Sequence, residues 1–359
     1  MTQRTRQGTV AATVVLLTAT AGCAGQPDPA HTRQRPQTGH PVPSAAGGPS
    51  AARGFTLVAS GDVLTHNSVV RRATADVGGE AGAGYDFRPL LAGVKPVISQ
   101  ADLAICHCPA LTSLPQIAKA LGATGYDSCS TASNRTLDAL DTAGVRHAGA
   151  ARTAAEARSP AWLKAGGAKV AQLAYTDDTN DLHRPGEPPW TVSLIDEKKI
   201  VADARAARRA GADVVVVSLH WGTQWQTEPD EQQLRLGGQL TASTTAGRPD
   251  IDLILGTHAR VPQAYEKVNG TWIVYGMGGD QGSTGRFTFV PPAEPGRRWV
   301  VGKAEFIPQW MDAESGRVVD LPQELHRGAD RGEYREVLSE ISKAVLSRGA
   351  AKDGLTMGR

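Results

Sequence analysis

Four side chains able to bind a metal stand where the sequence predicts the carboxyl ends of β-strands: Asp62, Asn134, His220 and His258. In a parallel sheet such ends meet at one edge, where ligand crevices of α/β proteins lie. A carboxylate oxygen, an amide oxygen and two imidazole nitrogens suit a divalent ion of manganese, iron or zinc. A lone histidine at a strand end is usually structural, so the prediction of a metal site depends on all four.

Two apolar runs position the histidines. Residues 213–222 include four consecutive valines before His220. Such a run cannot alternate between core and solvent, so it predicts a strand buried on both faces. Residues 250–258 have the same form, with a glycine just before His258. We therefore expect the two imidazoles at one edge of one sheet.

Helical and strand patterns alternate through the rest of the chain, which predicts a layered α/β fold. The longest predicted helix covers residues 196–210, with Asp196 as its N-cap and Gly211 as its end. A further helix is predicted for residues 153–166. A capping box at residues 227–230 is expected to open another.

The first 23 residues predict an export signal, because Arg4 and Arg6 precede a short apolar run and small residues then lead to Cys23. This ending resembles a bacterial lipoprotein cleavage site. Lipidation of Cys23 would anchor the protein to the outer face of the bacterial cell membrane. Simple secretion remains the alternative.

Composition divides the remaining chain into three parts. Residues 24–53 are rich in proline and predict a disordered tether. Residues 54–310 carry the predicted folded domain. Residues 311–359 form a C-terminal extension that closes with an amphipathic helix, whose apolar positions are Tyr334, Val337, Leu338, Ile341 and Val345.

The cysteines after the export signal are Cys106, Cys108 and Cys129. Three cysteines in an oxidising compartment allow at most one internal bridge, and the strand settings favour Cys106 with Cys129. A zinc site at Cys106-His107-Cys108 is the alternative, although its spacing differs from that of common zinc motifs.

Charge and motifs exclude several classes of function. A net charge of +2 over 359 residues gives no strong attraction to nucleic acid. The sequence contains no phosphate-binding P-loop and no G-x-S-x-G nucleophile elbow.

Several segments, in consistent order between about Phe55 and Val290, resemble the CapA family of capsule or poly-gamma-glutamate synthesis proteins. They are Ser60-Gly-Asp-Val63, Ala132-Ser-Asn134, Ser218-Leu-His-Trp-Gly222, Gly256-Thr-His-Ala259 and residues 266–276. The resemblance implies a calcineurin-like metallophosphatase fold, a layered β-sandwich flanked by helices with a two-metal site. It also implies an exported, membrane-associated protein that acts on a cell-surface polymer or with its synthesis machinery. Asp62 would serve one metal, and Asn134, His220 and His258 the other.

The sequence departs from the family pattern at the site itself. His107 is followed by Cys108 and proline where the family has an acidic ligand, while Arg135 and Arg260 stand where it has histidines. A guanidinium only donates hydrogen bonds and cannot replace a histidine ligand. We therefore expect one ion rather than two, or none. The two arginines either clamp a carboxylate or phosphate or face solvent.

Two functions follow from these departures. In the first, the protein binds a polyanion and has impaired catalysis. In the second, it is a metal-dependent hydrolase of phosphoester or amide bonds, in which His66, His107 or Glu266 completes the coordination.

Overall fold

The computed structural model describes residues 52–77, 84–108, 115–131, 137–177, 188–294, 298–329 and 332–359. The export signal, Cys23, nearly all of the tether, Asn134 and Arg135 lie outside these ranges. Within them, no helix is both long enough and apolar enough to span a bilayer.

The strands are β1 Phe55–Asp62, β2 Leu103–Cys108, β3 Ser128–Thr131, β4 Arg146–Ala148, β5 Ala161–Ala165, β6 Ala168–Thr176, β7 Val214–His220, β8 Thr244–Thr245, β9 Arg248–Pro249, β10 Leu253–Thr257, β11 Tyr265–Val268, β12 Thr271–Val274, β13 Gln281–Val290, β14 Val300–Asp312, β15 Arg317–Asp320 and β16 Leu355–Met357. The helices are α1 Asn67–Ala75, α2 Lys95–Gln100, α3 Pro115–Thr124, α4 Leu137–Thr142, α5 Glu197–Arg209, α6 Glu231–Ala242, α7 Leu321–His326 and α8 Gly332–Leu346. Short 3-10 helices occur at Pro89–Leu91, Glu156–Arg158 and Ala350–Asp353.

Two mixed sheets form the centre of the fold. The first has the order β15-β14-β13-β1-β2-β3-β4, with β16 paired to β14, and the second has the order β11-β12-β10-β7-β6-β5. Strands β1 to β4 are parallel to one another, as are β6, β7, β10 and β12. Because each sheet contains four adjacent parallel strands, each has a carboxyl edge at which loops converge.

The sheets pack face to face, and each has a second apolar layer outside. Leu57 of β1 and Val216 of β7 belong to the core between the sheets. Their neighbours point outward into two further cores. Val58 packs in the core that β1 shares with α1 to α3, and Val217 packs in the core that β7 shares with α5 and α6. Both faces are therefore covered, which explains why β7 is buried along its whole length. The predicted layered β-sandwich flanked by helices is confirmed.

Helix α5 begins where the sequence predicts. The Asp196 side chain accepts a hydrogen bond from the backbone N–H of Lys199, and Gly211 follows the helix with φ of 89°. Local sequence signals therefore set both ends of α5, which leads into β7.

The helix predicted for residues 153–166 is wrong. This segment forms the 3-10 turn Glu156–Arg158 and then β5, which pairs antiparallel with β6. Ser159 has extended backbone angles because it precedes Pro160. Gly166 and Gly167 both have positive φ and close a hairpin between the strands.

The predicted capping box lies three residues further along the chain. The Asp230 carboxylate accepts from Gln233 N–H, and the Gln233 side chain accepts from Asp230 N–H, so α6 begins at Glu231. Thr227 and the following proline belong to the preceding loop, since Asp230 supplies the cap itself.

Residues 311–359 share the first sheet and its core. Strands β15 and β16 pair with β14, and α8 buries Tyr334, Val337, Ile341 and Val345. The predicted closing helix is confirmed.

Candidate metal centre

The two sheets bring their carboxyl ends together at one place. Asp62 ends β1 and is paired in register with His107 of β2 in the first sheet. His220 ends β7 and is paired with Thr257, the residue before His258, in the second sheet. The site therefore receives side chains from four parallel strand ends.

Close backbone contact makes this convergence possible. A Cβ atom on Gly61 would lie 2.2 Å from the carbonyl oxygen of Gly278, and one on Gly256 would lie 2.0 Å from that of Tyr275. Glycine is therefore required at both positions. The N–H of Asp62 then donates to Gly278 O at 3.1 Å.

Asp62, His107 and His220 form an inner group, in which one ligand atom from each residue lies within 4.8 Å of the others. Asp62 Oδ1 and His107 Nε2 are 3.8 Å apart. Both atoms are buried, and neither has a hydrogen-bond partner among the described residues. Buried polar atoms without hydrogen bonds are unfavourable, so the proximity of these two suits a bound ion that both could contact.

A divalent ion fits this group. Two ligand atoms that each bind a metal at about 2.1 Å can be separated by up to about 4.2 Å, and the Asp62–His107 distance falls within that limit. One carboxylate oxygen with imidazole nitrogens is a donor set typical of zinc, manganese and iron.

Hydroxyl groups orient the two buried imidazoles. His107 Nδ1 lies 2.7 Å from Ser130 Oγ, and His220 Nδ1 lies 2.9 Å from Thr176 Oγ1. Hydrogen bonds at Nδ1 direct the opposite nitrogen of each ring toward the centre, as outer partners do in metal sites.

His258 borders the inner group. Its Nδ1 lies 3.1 Å from His220 Nε2, and its backbone N–H donates to Asp62 Oδ2 at 3.3 Å. Its φ of 92° is in the left-handed region, which a histidine seldom adopts. Strained backbone of this kind concentrates at functional sites.

Burial dominates the titration of the group. It raises the pKa of Asp62 from 3.8 to about 7, against the opposing effects of the His258 N–H and the Arg260 charge. It lowers the pKa of His107 to about 3, and that of His220 falls well below its usual range for the same reason. Both imidazoles are therefore neutral at physiological pH, as metal ligands must be.

Arg260 is half-buried beside the group, with φ of 62°. Its charge lowers the pKa of Asp62 and of His220. Its guanidinium carbon lies 5.9 Å from the centre of the Trp225 ring. The guanidinium makes no ion pair or hydrogen bond with any residue in the described ranges, so it is available to an anion.

Other predicted residues lie elsewhere. His66 is exposed at the start of α1 and is not part of the inner group. Glu266 accepts a hydrogen bond from Tyr275 and pairs with Arg348. Asn134 and Arg135 fall outside the described residues, so their assigned roles stay predictions.

The predicted bridge between Cys106 and Cys129 is confirmed, and it joins paired positions of β2 and β3. The alternative zinc site at Cys106-His107-Cys108 is wrong. Side chains alternate along β2, so the two cysteines face the helical core while His107 stacks on His220.

Sequence reasoning missed Ser130 and Thr176. Thr176 was detectable in principle, as the polar last residue of β6. Ser130 gave no such signal, because its contact with His107 depends on the pairing of β2 with β3.

Residues 56–279 match the family described as Bacterial capsule synthesis protein PGA_cap. The chain belongs to this family. The match spans the strands and loops that supply the inner group, so the resemblance to CapA proteins is confirmed.

Two curated relatives are the PGA biosynthesis protein CapA of Bacillus subtilis (strain 168) and the Capsule biosynthesis protein CapA of Bacillus anthracis. The first is 30% identical over 135 residues, which are 34% of this chain and 31% of the relative. The second is 28% identical over 155 residues, which are 42% and 36% of the two chains. The matched region thus spans about a third of each relative's length.

Solved structures with a similar arrangement include a putative 5'-nucleotidase from Staphylococcus aureus, at 15% identity and a TM-score of 0.47 over 71% of this chain and 54% of the other. A 5'-nucleotidase precursor from Thermus thermophilus has the same identity and score over 82% and 59%. The calcineurin-like phosphoesterase YfkN from Bacillus subtilis has 13% identity and a TM-score of 0.43 over 71% and 90%.

Proposed function

We propose that this chain is an exported CapA-type protein of capsule or other cell-surface polymer biosynthesis, which binds an anionic polymer at a site holding one divalent ion. Membership of the capsule synthesis family supports the biological role. So do the printed names of the two relatives, one of which is a PGA biosynthesis protein.

The buried atoms Asp62 Oδ1 and His107 Nε2, which have no hydrogen-bond partner among the described residues, carry the proposal of a metal. These two residues and His220 would hold the ion. When bound, the ion supplies a fixed positive charge that attracts carboxylate or phosphate oxygen.

A single ion is favoured over two because His107 joins Asp62 and His220 in one compact group. An acidic ligand after His107 is absent from the sequence, and Arg260 occupies a position where the family pattern has a histidine. A permanent cation beside the site opposes a second divalent ion by like-charge repulsion. The site is therefore a reduced form of the two-metal arrangement.

The same cation favours an anionic ligand. Arg260 is close enough to influence the pKa of Asp62 and of His220, yet it has no acidic partner among the described residues. A guanidinium donates paired hydrogen bonds to carboxylate or phosphate, and its attraction strengthens in a partly desolvated position.

The cellular location belongs to the same proposal. Lipidation at Cys23 would hold the domain at the outer face of the cell membrane, with residues 24–53 as a tether. A polymer outside the cell would then reach the site directly.

A metal-dependent hydrolase of phosphoester or amide bonds is the second candidate. The observation that favours it is the left-handed backbone of His258 and Arg260 beside the inner group, because such strain is common in active sites.

Metal stoichiometry and polymer binding together test the proposal. The full chain is loaded with manganese, iron or zinc, and bound metal is measured by elemental analysis. We expect one equivalent, lost in His220→Ala and retained in the matched control His66→Ala. Calorimetry should then show binding of a γ-linked oligoglutamate that chelation abolishes.

Other outcomes separate the candidates. Two equivalents of metal, with turnover of an aryl phosphate or a γ-glutamyl amide that His220→Ala loses, would establish the hydrolase. Absence of bound metal, or absence of polymer binding to the metal-loaded chain, would refute the proposed function.

A further inference from the structure

Trp225 is the most exposed large apolar residue in the described ranges, with 64% of its surface accessible to solvent. It lies in the segment 223–228 that follows β7, which we term the Trp225 loop. Tryptophan is among the residues that contribute most to binding where it lies at an interface with a ligand or partner.

The Trp225 loop is held rigidly against the metal centre. The backbone N–H of Trp225 donates to Ala259 O at 2.8 Å, which attaches the loop to the turn between His258 and Arg260. The fully buried Gln263 donates to Gln226 O at 2.8 Å. The exposure of the indole is therefore built into the fold, and a preorganised aromatic group loses little entropy when a ligand binds.

Strained backbone is concentrated at this contact. Among the described residues, the non-glycine positions with positive φ are Trp225, Ala246, His258, Arg260 and Asn269. Three of these five meet here, whereas Asn269 belongs to a hairpin turn. Such conformations are unfavourable for residues other than glycine, and they cluster at functional sites, where surrounding contacts hold them in place.

The side chains so placed are an indole face and a guanidinium that forms no ion pair with any described residue. Arg260 Cζ is 5.9 Å from the Trp225 ring centre, within the range of a cation–π contact. The indole orients the guanidinium without neutralising it. A ligand can therefore use both at once, with an anion on Arg260 and an apolar or planar group on Trp225.

We infer that Trp225 and Arg260 form a ligand-binding subsite next to the inner group of Asp62, His107 and His220. It accepts an anionic group attached to an aliphatic or planar segment. Neither residue binds the metal. The inference rests on the proposed function, because the group that reaches the metal and the group on this subsite belong to one polymer chain.

The test compares polymer binding with metal binding in the full metal-loaded chain. The probe is a γ-linked oligoglutamate, and its binding affinity is measured by calorimetry. Trp225→Ala and Arg260→Ala should each weaken affinity about tenfold, since one aromatic or charged contact at a partly desolvated site is worth that much. Trp225→Phe should retain most of the affinity, because a planar ring remains. Metal content should be unchanged in the two Trp225 variants, because Trp225 neither binds the metal nor carries a charge.

Matched controls exclude a general effect of losing apolar surface or charge. Leu194 is 54% exposed, and Arg235 is exposed on α6. Leu194→Ala and Arg235→Ala should bind the probe as the unmodified chain does. A double variant of Trp225 and Arg260 should lose less than the sum of the single effects, since each residue orients the other.

The two proposals fail in different ways. If the unmodified chain binds the probe in a metal-dependent manner and Trp225→Ala binds it equally well, the subsite is refuted and the proposed function stands. If the unmodified metal-loaded chain does not bind the probe, both are refuted.

Discussion

Replacing Asp62 by asparagine should stabilise the metal-free protein, although it removes a metal ligand. The Asp62 side chain is 2% exposed, and burial raises its pKa from 3.8 to about 7. Asparagine has nearly the same shape, can accept the same hydrogen bond from His258 N–H, and carries no charge at any pH. The variant therefore removes the cost of ionising a buried carboxyl.

The magnitude follows from the two pKa values. Above pH 3.8 the unfolded chain releases the Asp62 proton, whereas the folded chain retains it until about pH 7, so Asp62 lowers stability as pH rises across this interval. Linkage gives a stability advantage for Asp62→Asn of about 2 kcal/mol at pH 5 and about 4 kcal/mol at pH 7.5. The pKa values of His107 and His220 are lowered in both chains, so their contributions largely cancel in the difference.

Urea unfolding in the presence of a chelator, at pH 5 and pH 7.5, measures this difference. Glu231→Gln is the control, because Glu231 is exposed in the first turn of α6 and should show only a small change that varies little with pH. Added zinc or manganese should then stabilise the unmodified chain and have little effect on Asp62→Asn. An advantage for Asp62→Asn that is absent at pH 7.5, or equal at both pH values, would refute the argument from burial.

Three further predictions concern the cysteines and the support of His107. Replacing Cys106 and Cys129 by alanine removes a disulfide between positions 23 residues apart. The free energy of unfolding should fall by about 3.5 kcal/mol in urea titrations. An unchanged unfolding midpoint would show that the disulfide does not constrain the unfolded chain. Ser130→Ala removes the hydrogen-bond partner of His107 Nδ1 and should weaken metal affinity about 10- to 100-fold in competition titrations. Unchanged metal affinity would show that Ser130 does not orient His107. Cys23→Ala should move the protein from the membrane fraction to the medium in a bacterial host, whereas the lipoprotein assignment fails if both forms fractionate alike.

Local signals determined much of the fold in advance. The valine run before His220 could be buried only between two layers, and Asp196 with Gly211 set the ends of α5. The helix predicted for residues 153–166 failed because the pattern of that segment is ambiguous over a short range. Residues 161–165 form a strand because they pair with β6, a contact that the local pattern does not reveal.

The sequence by itself predicted candidate metal ligands, and it correctly placed Asp62, His107, His220 and His258 at or near strand ends. It could not determine which of them meet, since that depends on strand order and on the packing of two sheets. Only the tertiary structure placed Asp62 and His107 of one sheet against His220 of the other, and brought together two buried atoms that have no hydrogen-bond partner among the described residues. The orienting hydroxyl of Ser130 and the exposed indole of Trp225 were likewise decided there. Their roles arise from contacts between segments far apart in the chain, and side-chain chemistry alone does not specify such contacts.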